Sequence, residues 1–108
     1  VNPLPDITLT DIEAARARLA GVAMRTPLVR LEVEAAPAEI YLKLENLQPI
    51  GSFKVRGAGN AMLLAGRERL KTGVYTASAG NMAQGVAWMA RRLGVPATAI
   101  VPEGAPAT

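Results

Sequence analysis

GVYTASAGNMAQGVAWMARRLGVPATAIV, residues 73–101, reads as strand, turn, helix and strand in immediate succession. Gly73 opens a short run, Val74 to Ala77, whose β-branched and aromatic residues favour an extended chain. Ser78-Ala79-Gly80-Asn81 is a turn of small and hydrogen-bonding residues. Met82 to Leu93 has helical composition and is closed by Gly94, which tolerates a left-handed cap, and by Pro96, which cannot continue a helix. A second strand, Ala97 to Val101, ends at Pro102. Two strands joined through a helix are parallel, because the return path crosses over the sheet instead of reversing in a hairpin. The fold class read from this unit is α/β, built from parallel βα units.

Upstream, period two appears from Glu39. Ile40, Leu42 and Leu44 fall on one face and Tyr41, Lys43 and Glu45 on the other, a strand signature. Asn46 to Gly51 is a loop containing Pro49, and Ser52 is placed to cap a helix that runs to about Ala65, with Gly66 near its end. Further back, Thr10 and Glu13 fit a capping box at the head of a helix from Thr10 to Gly21. Ile12, Ala15 and Leu19 give that helix a narrow apolar stripe, and Arg16 and Arg18 reach water. Thr26-Pro27 breaks the chain, and Leu28 to Val33 alternates weakly. The order strand, helix, strand, helix, strand over residues 39–101 predicts parallel strands with crossover helices.

Composition narrows the chemistry. The 108 residues hold one small domain at most. Half are apolar and 19% are charged, as in a globular protein. A net charge of +3 is mild, Arg91-Arg92 is the only adjacent basic pair, and the four aromatics (Tyr41, Phe53, Tyr75, Trp88) do not interleave with a basic patch. Nucleic acid is therefore not an expected partner. With no cysteine there is no disulfide, thiolate nucleophile or zinc-thiolate site, and with no histidine there is no imidazole acid or base. Proton transfer falls to Lys, Tyr, Asp, Glu or a bound group. No apolar run approaches the roughly 20 residues of a membrane span, and Asp6 interrupts the only stretch placed like a signal peptide. The expectation is a cytoplasmic protein with no membrane partner.

Ligands of parallel sheets gather where strands end and helix N-termini present free N–H groups. Two such turns occur here, Gly51-Ser52-Phe53-Lys54 and Ser78-Ala79-Gly80-Asn81. A cation in a first helical turn opposes the macrodipole at a cost of about 0.3–1 kcal/mol. The same field favours the neutral amine, the form that attacks a carbonyl. By position alone, Lys54 is either such a nucleophile or a surface lysine reaching into water. Likewise the second turn is either an anion-binding loop or an ordinary helix cap.

Leu44-Glu45-Asn46-Leu47-Gln48-Pro49-Ile50-Gly51-Ser52-Phe53-Lys54-Val55-Arg56-Gly57-Ala58 resembles the lysine motif of the fold-type II pyridoxal-phosphate (PLP) enzymes, in their serine/threonine dehydratase branch. Ser78-Ala79-Gly80-Asn81-Met82-Ala83-Gln84-Gly85-Val86-Ala87 is similar to the same family's Ser-Xaa-Gly-Asn loop, at the expected distance downstream. The likeness covers nearly the whole chain but only about the first third of a complete family member. It implies the tryptophan synthase β-like fold, with residues 1–70 in the large domain and 71–108 opening the small one. The two turns would then face each other across a cleft instead of lining one sheet.

Residue by residue, the resemblance gives Lys54 the Schiff-base link to PLP and the role of proton acceptor. It sets Phe53 beside the cofactor ring, unless that side chain is simply core. Asn81 would hydrogen-bond the phenolic oxygen, and Ser78 with the backbone of Ala79, Gly80, Asn81 and Met82 would hold the carboxylate of a small amino-acid substrate. The implied reaction is β-elimination from a β-hydroxy amino acid such as threonine or serine, giving a 2-oxo acid and ammonia. Ala79 stands where the family's racemases are expected to carry a serine, so racemisation by that route is disfavoured. Met82 departs from the histidine common at its position and points to a less polar pocket. The family's phosphate-binding loop lies beyond Thr108 in a full-length member. The chain is accordingly expected to be part of a larger catalytic unit, completed by a homo-oligomer or a complementary chain segment. The alternatives are a non-catalytic folding or dimerisation module, or a related PLP racemase or β-replacement enzyme.

Overall fold

A computed structural model describes residues 5–105. Helix α1, Leu9–Arg18, starts from a capping box, but not at Thr10 and Glu13. Thr8 is the cap. Its hydroxyl accepts the Asp11 N–H at 3.2 Å, and the Asp11 carboxylate accepts the Thr8 N–H at 2.9 Å. The box therefore sits two residues earlier than the sequence pattern suggested. The expected stripe is only partly realised, since Leu19 is buried while Ile12 stays 56% exposed.

Strand β1, Leu28–Leu31, pairs antiparallel with β2, Ile40–Lys43, in the register Leu28↔Lys43 to Leu31↔Ile40. Here the run of parallel strands expected over residues 39–101 is corrected: β2 shares a sheet with β1 and not with the strands that follow. A single 3-10 turn, Glu45–Leu47, leads through Gly51 (φ +68°) into α2, Lys54–Ala65. Gly66 (φ +78°) ends α2 and starts the short α3, Arg67–Leu70, which the sequence reading did not anticipate. Strand β3, Val74–Ala77, helix α4, Asn81–Leu93, and strand β4, Ala97–Ile100, form the parallel βαβ unit read from residues 73–101. Gly94 closes α4 in the left-handed conformation, and the Val95 N–H returns to the Ala90 carbonyl at 3.0 Å.

The core lies between α2 and α4. Met62, Met89, Ala90 and Val95 form its centre, with Val22, Leu63, Leu70, Val74, Val86, Trp88 and Leu93 packed around it. Gly85 allows the close approach of α4 to α2, and Gly59 admits Leu19 and Val22 against α2. A Cβ on Gly85 would lie 3.3 Å from the Lys54 carbonyl oxygen and 3.3 Å from the Ala58 Cβ. One on Gly59 would lie 2.9 Å from Leu19 and 3.7 Å from the Met89 sulfur. Gly85 thus meets the start of α2, and Met89 meets a point one turn further along it. The two helices run side by side in the same direction, and their N-termini open at one end.

The remaining surface is less settled. The chain exposes 8161 Å², against about 5,700 Å² for a self-contained protein of this mass. Its radius of gyration is 16.7 Å, where a compact domain of this length has about 13 Å. Every residue of β1, β2 and β4 is exposed. Among the described residues, no helix is long and apolar enough to cross a membrane, and no cluster of acidic side chains could hold a metal ion.

Candidate active site

Lys54 is the first residue of α2, and its side chain is half-buried. Its position follows from the turn before it. Gly51 supplies the positive φ, and the buried Ser52 hydroxyl accepts the Lys54 backbone N–H at 3.3 Å. None of the four ion pairs among the described residues involves Lys54. Its Nζ lies 4.9 Å from the centroid of the Phe53 ring, within cation–π range. Phe53 itself is 57% exposed, so plain core packing does not explain it.

The second turn heads α4. Gly80 is its cap residue and makes no side-chain hydrogen bond, so the first N–H groups of α4 have no side-chain acceptor. The Ser78 hydroxyl accepts the Gly80 N–H at 3.2 Å, which leaves its own proton to donate. Asn81 is exposed and Met82 half-buried. A cavity of about 200 Å³ is lined by Ser78, Ala79, Gly80, Ala83, Gln84, Val101 and Ala105. A second cavity, of about 450 Å³, borders Ala77, Ser78, Ala79, Ile100, Val101 and Pro102. Neither is lined by Lys54, Phe53 or Asn81. What joins the two turns is the contact of Gly85, one turn after Asn81, with the Lys54 backbone.

One group of residues lies inside the quoted lysine motif yet drew no role from the sequence. Gln48 is 3% exposed, and its side-chain amide grips both sides of the Met24 backbone. Its Nε2 donates to the Met24 carbonyl at 2.8 Å, and its Oε1 accepts the Met24 N–H at 2.9 Å. Glu45 accepts two hydrogen bonds of 2.8 Å from Arg56, one from the Thr26 hydroxyl at 2.5 Å and one from Gln48 at 3.2 Å. Arg56 also donates to the Met24 carbonyl at 2.9 Å. The visible signal was three long polar side chains spaced around Pro49 and Gly51.

The Arg56 guanidinium holds the Glu45 carboxyl down at about 2. Partial burial opposes it, and the Thr26 hydroxyl, the charge of Arg56 and the Gln48 amide reinforce it. Because the folded value lies below the ordinary 4.5, the stabilisation is complete above that pH and is lost as pH falls from about 4.5 towards 2. Allowing for solvent screening of the partly exposed guanidinium, it amounts to about 2 kcal/mol. Glu45→Gln should therefore lower the melting temperature at neutral pH and flatten its fall between pH 5 and pH 3. Parallel acid-denaturation curves for parent and variant would contradict this.

The sequence profile described as "Pyridoxal-phosphate dependent enzyme" matches residues 19–108. The chain is 51% identical over 102 residues to the L-threonine ammonia-lyase of Thermotoga maritima, covering 93% of this chain and 25% of that protein. It is 46% identical over 103 residues to a catabolic L-threonine dehydratase of Staphylococcus aureus, covering 93% and 30%. The crystal structure of serine racemase from Dictyostelium discoideum superposes with a TM-score of 0.84 at 40% identity, covering 94% of this chain and 34% of that one. The chain thus spans a quarter to a third of the length of these relatives.

Proposed function

The chain belongs to the pyridoxal-phosphate dependent enzymes, and on that premise we propose that the complete protein deaminates a β-hydroxy amino acid such as threonine or serine to a 2-oxo acid and ammonia. The observation that carries this reading is an amine with no ion-pair partner among the described residues, at the first turn of α2 and set over an aromatic ring. It opens at the same end of the helix pair as the uncapped N–H groups of α4. An amine and a rank of free donors suit PLP together with an amino acid, since one is an aldehyde and each carries an anionic group, a phosphate or a carboxylate.

Lys54 would hold the cofactor through its amine and would be the group placed to accept the Cα proton of the substrate. Phe53 would flank the cofactor, Asn81 would donate a hydrogen bond to it, and Ser78 with the N–H groups of residues 79–82 would orient the substrate carboxylate. When bound, PLP supplies the electron sink for the charge released at Cα. Overall the reaction would balance with the β-hydroxyl lost as water, one water taken up in hydrolysis, and ammonia released. Assignment of residues 1–70 to a large domain and 71–108 to a small one belongs to the same proposal. It is supported by two sheets that share no strand. A homo-oligomer or a complementary chain segment as partner, and a cytoplasmic setting, are further parts of the proposal.

The backbone likeness to a serine racemase favours one competing reading. Ala79 separates the two. A methyl group moves no proton, so Lys54 serves one face of Cα and Ala79 offers nothing on the other. The complete protein should form 2-oxo acid from L-threonine or L-serine much faster than it inverts them, and Ala79→Ser should raise inversion. Chiral chromatography of recovered substrate measures both, and abundant D-isomer from the unaltered protein would sink the dehydratase reading.

A further inference from the structure

Lys54 and Arg56 are two residues apart, so their side chains leave α2 about 200° apart around its axis. The amine and the guanidinium therefore occupy opposite sides of the same helical turn. On the guanidinium side the turn is tied down. Arg56 makes two hydrogen bonds of 2.8 Å to Glu45 and one of 2.9 Å to the Met24 carbonyl. Glu45 in turn holds the Thr26 hydroxyl, and Gln48 binds Met24 through both backbone groups. The Met24–Thr26 segment, the 3-10 turn and the first turn of α2 thus form one closed polar network, although they are up to 32 residues apart in sequence.

We infer that Glu45 and Arg56, with Gln48 as their buried tie, are positioning residues for Lys54, a role that rests on the function proposed above. The pair fixes the rotation of α2 about its own axis, and so the direction in which the Lys54 amine leaves the backbone. Without it, the first turn keeps no polar tie to the Met24–Thr26 segment, and the next restraint on that face is Asn60, held by Arg18 a turn further on. Gly51 at φ +68° is the turn just upstream, and its N–H is tied to the carbonyl of Gln48 at 2.7 Å, so the same buried residue anchors the approach to α2. A misplacement of about 1 Å at a reacting atom is enough to slow a reaction by up to about a hundredfold. A bidentate arginine resists swivelling where a lysine would not, because two parallel hydrogen bonds fix an orientation and a point charge does not.

The test uses the complete protein stripped of cofactor. PLP is added back and the rate at which visible absorbance develops is followed, with borohydride trapping and peptide mapping to confirm that Lys54 is the residue labelled. Glu45→Gln and Arg56→Lys should each slow capture about tenfold or more under conditions where circular dichroism shows the protein folded. The double variant should be no slower than the worse single one, because the two side chains act as a unit. Glu68→Gln, which breaks an exposed ion pair with Lys71, serves as the control and should capture at the parental rate. Capture by Glu45→Gln and Arg56→Lys within twofold of the parent would overturn the positioning role and leave the proposed function standing. An unaltered protein that captures no PLP at Lys54 would overturn both.

Discussion

Lys54→Ala in the complete protein should abolish turnover, with a loss of at least about a thousandfold, while leaving the fold intact. Two functions are lost in one substitution, the covalent hold on the cofactor and the acceptor for the Cα proton. Little structural cost is expected, since the Lys54 ammonium takes part in no ion pair among the described residues. Its backbone N–H bond to Ser52 does not depend on the side chain. Removing a cation from the first turn of α2 also relieves an unfavourable interaction with the helix dipole, worth about 0.3–1 kcal/mol. An unchanged or slightly raised melting temperature alongside lost activity is therefore the expected signature. Borohydride reduction of the parent should label Lys54, and a label found on Lys43 or Lys71 would refute the assignment. Lys43 already donates to the Thr26 carbonyl and Lys71 to Glu68, so neither amine has the unpaired setting of Lys54.

How far the sequence alone could carry this is clearest at particular residues. The βαβ unit was legible because its punctuation is unambiguous: Gly73 precedes β3, Gly94 closes α4 left-handed and Pro96 precedes β4. The start of α1 was not, because Thr8-x-x-Asp11 and Thr10-x-x-Glu13 overlap and both satisfy the capping pattern. The structure uses the first, and nothing in the local sequence ranks them. Period two marked β2 correctly but could not name its partner, since strand pairing depends on where distant chain segments settle. Lys54 and the Ser78–Asn81 turn were identified by motif. That their helices run in the same direction was not, because it depends on Gly85 lying against the start of α2 and Met89 against its middle. The Glu45–Arg56 network escaped for a related reason. Its meaning comes from Met24 and Thr26, which are far upstream and carry no motif of their own.

The 108-residue chain, purified by itself, should associate with itself and show no deaminase activity. It exposes roughly 2,400 Å² more surface than a self-contained protein of its mass. Much of that surface is apolar and arranged on sheets. Leu28, Val29, Leu31, Ile40, Tyr41 and Leu42 are all 37% exposed or more on the two-stranded β1–β2 sheet, and Tyr75 and Ile100 are similarly open on β3–β4. Two-stranded sheets have only edge strands, with unpaired N–H and C=O groups, and are marginal without a covering layer. Contiguous apolar area of this extent drives association in water. The network around Glu45 and the α2–α4 core should hold their local structure, so the helical circular dichroism signal is expected to persist while sedimentation shows species larger than a monomer. Activity needs more than the lysine, because among the described residues Lys54 does not line the cavity beside Ser78. A PLP link formed there would stand open to water and hydrolyse readily. Sedimentation velocity with a threonine deamination assay on the same preparation decides the matter. A stable monomer that binds PLP in equal amount and turns over threonine would mean that these residues make a catalytic unit by themselves.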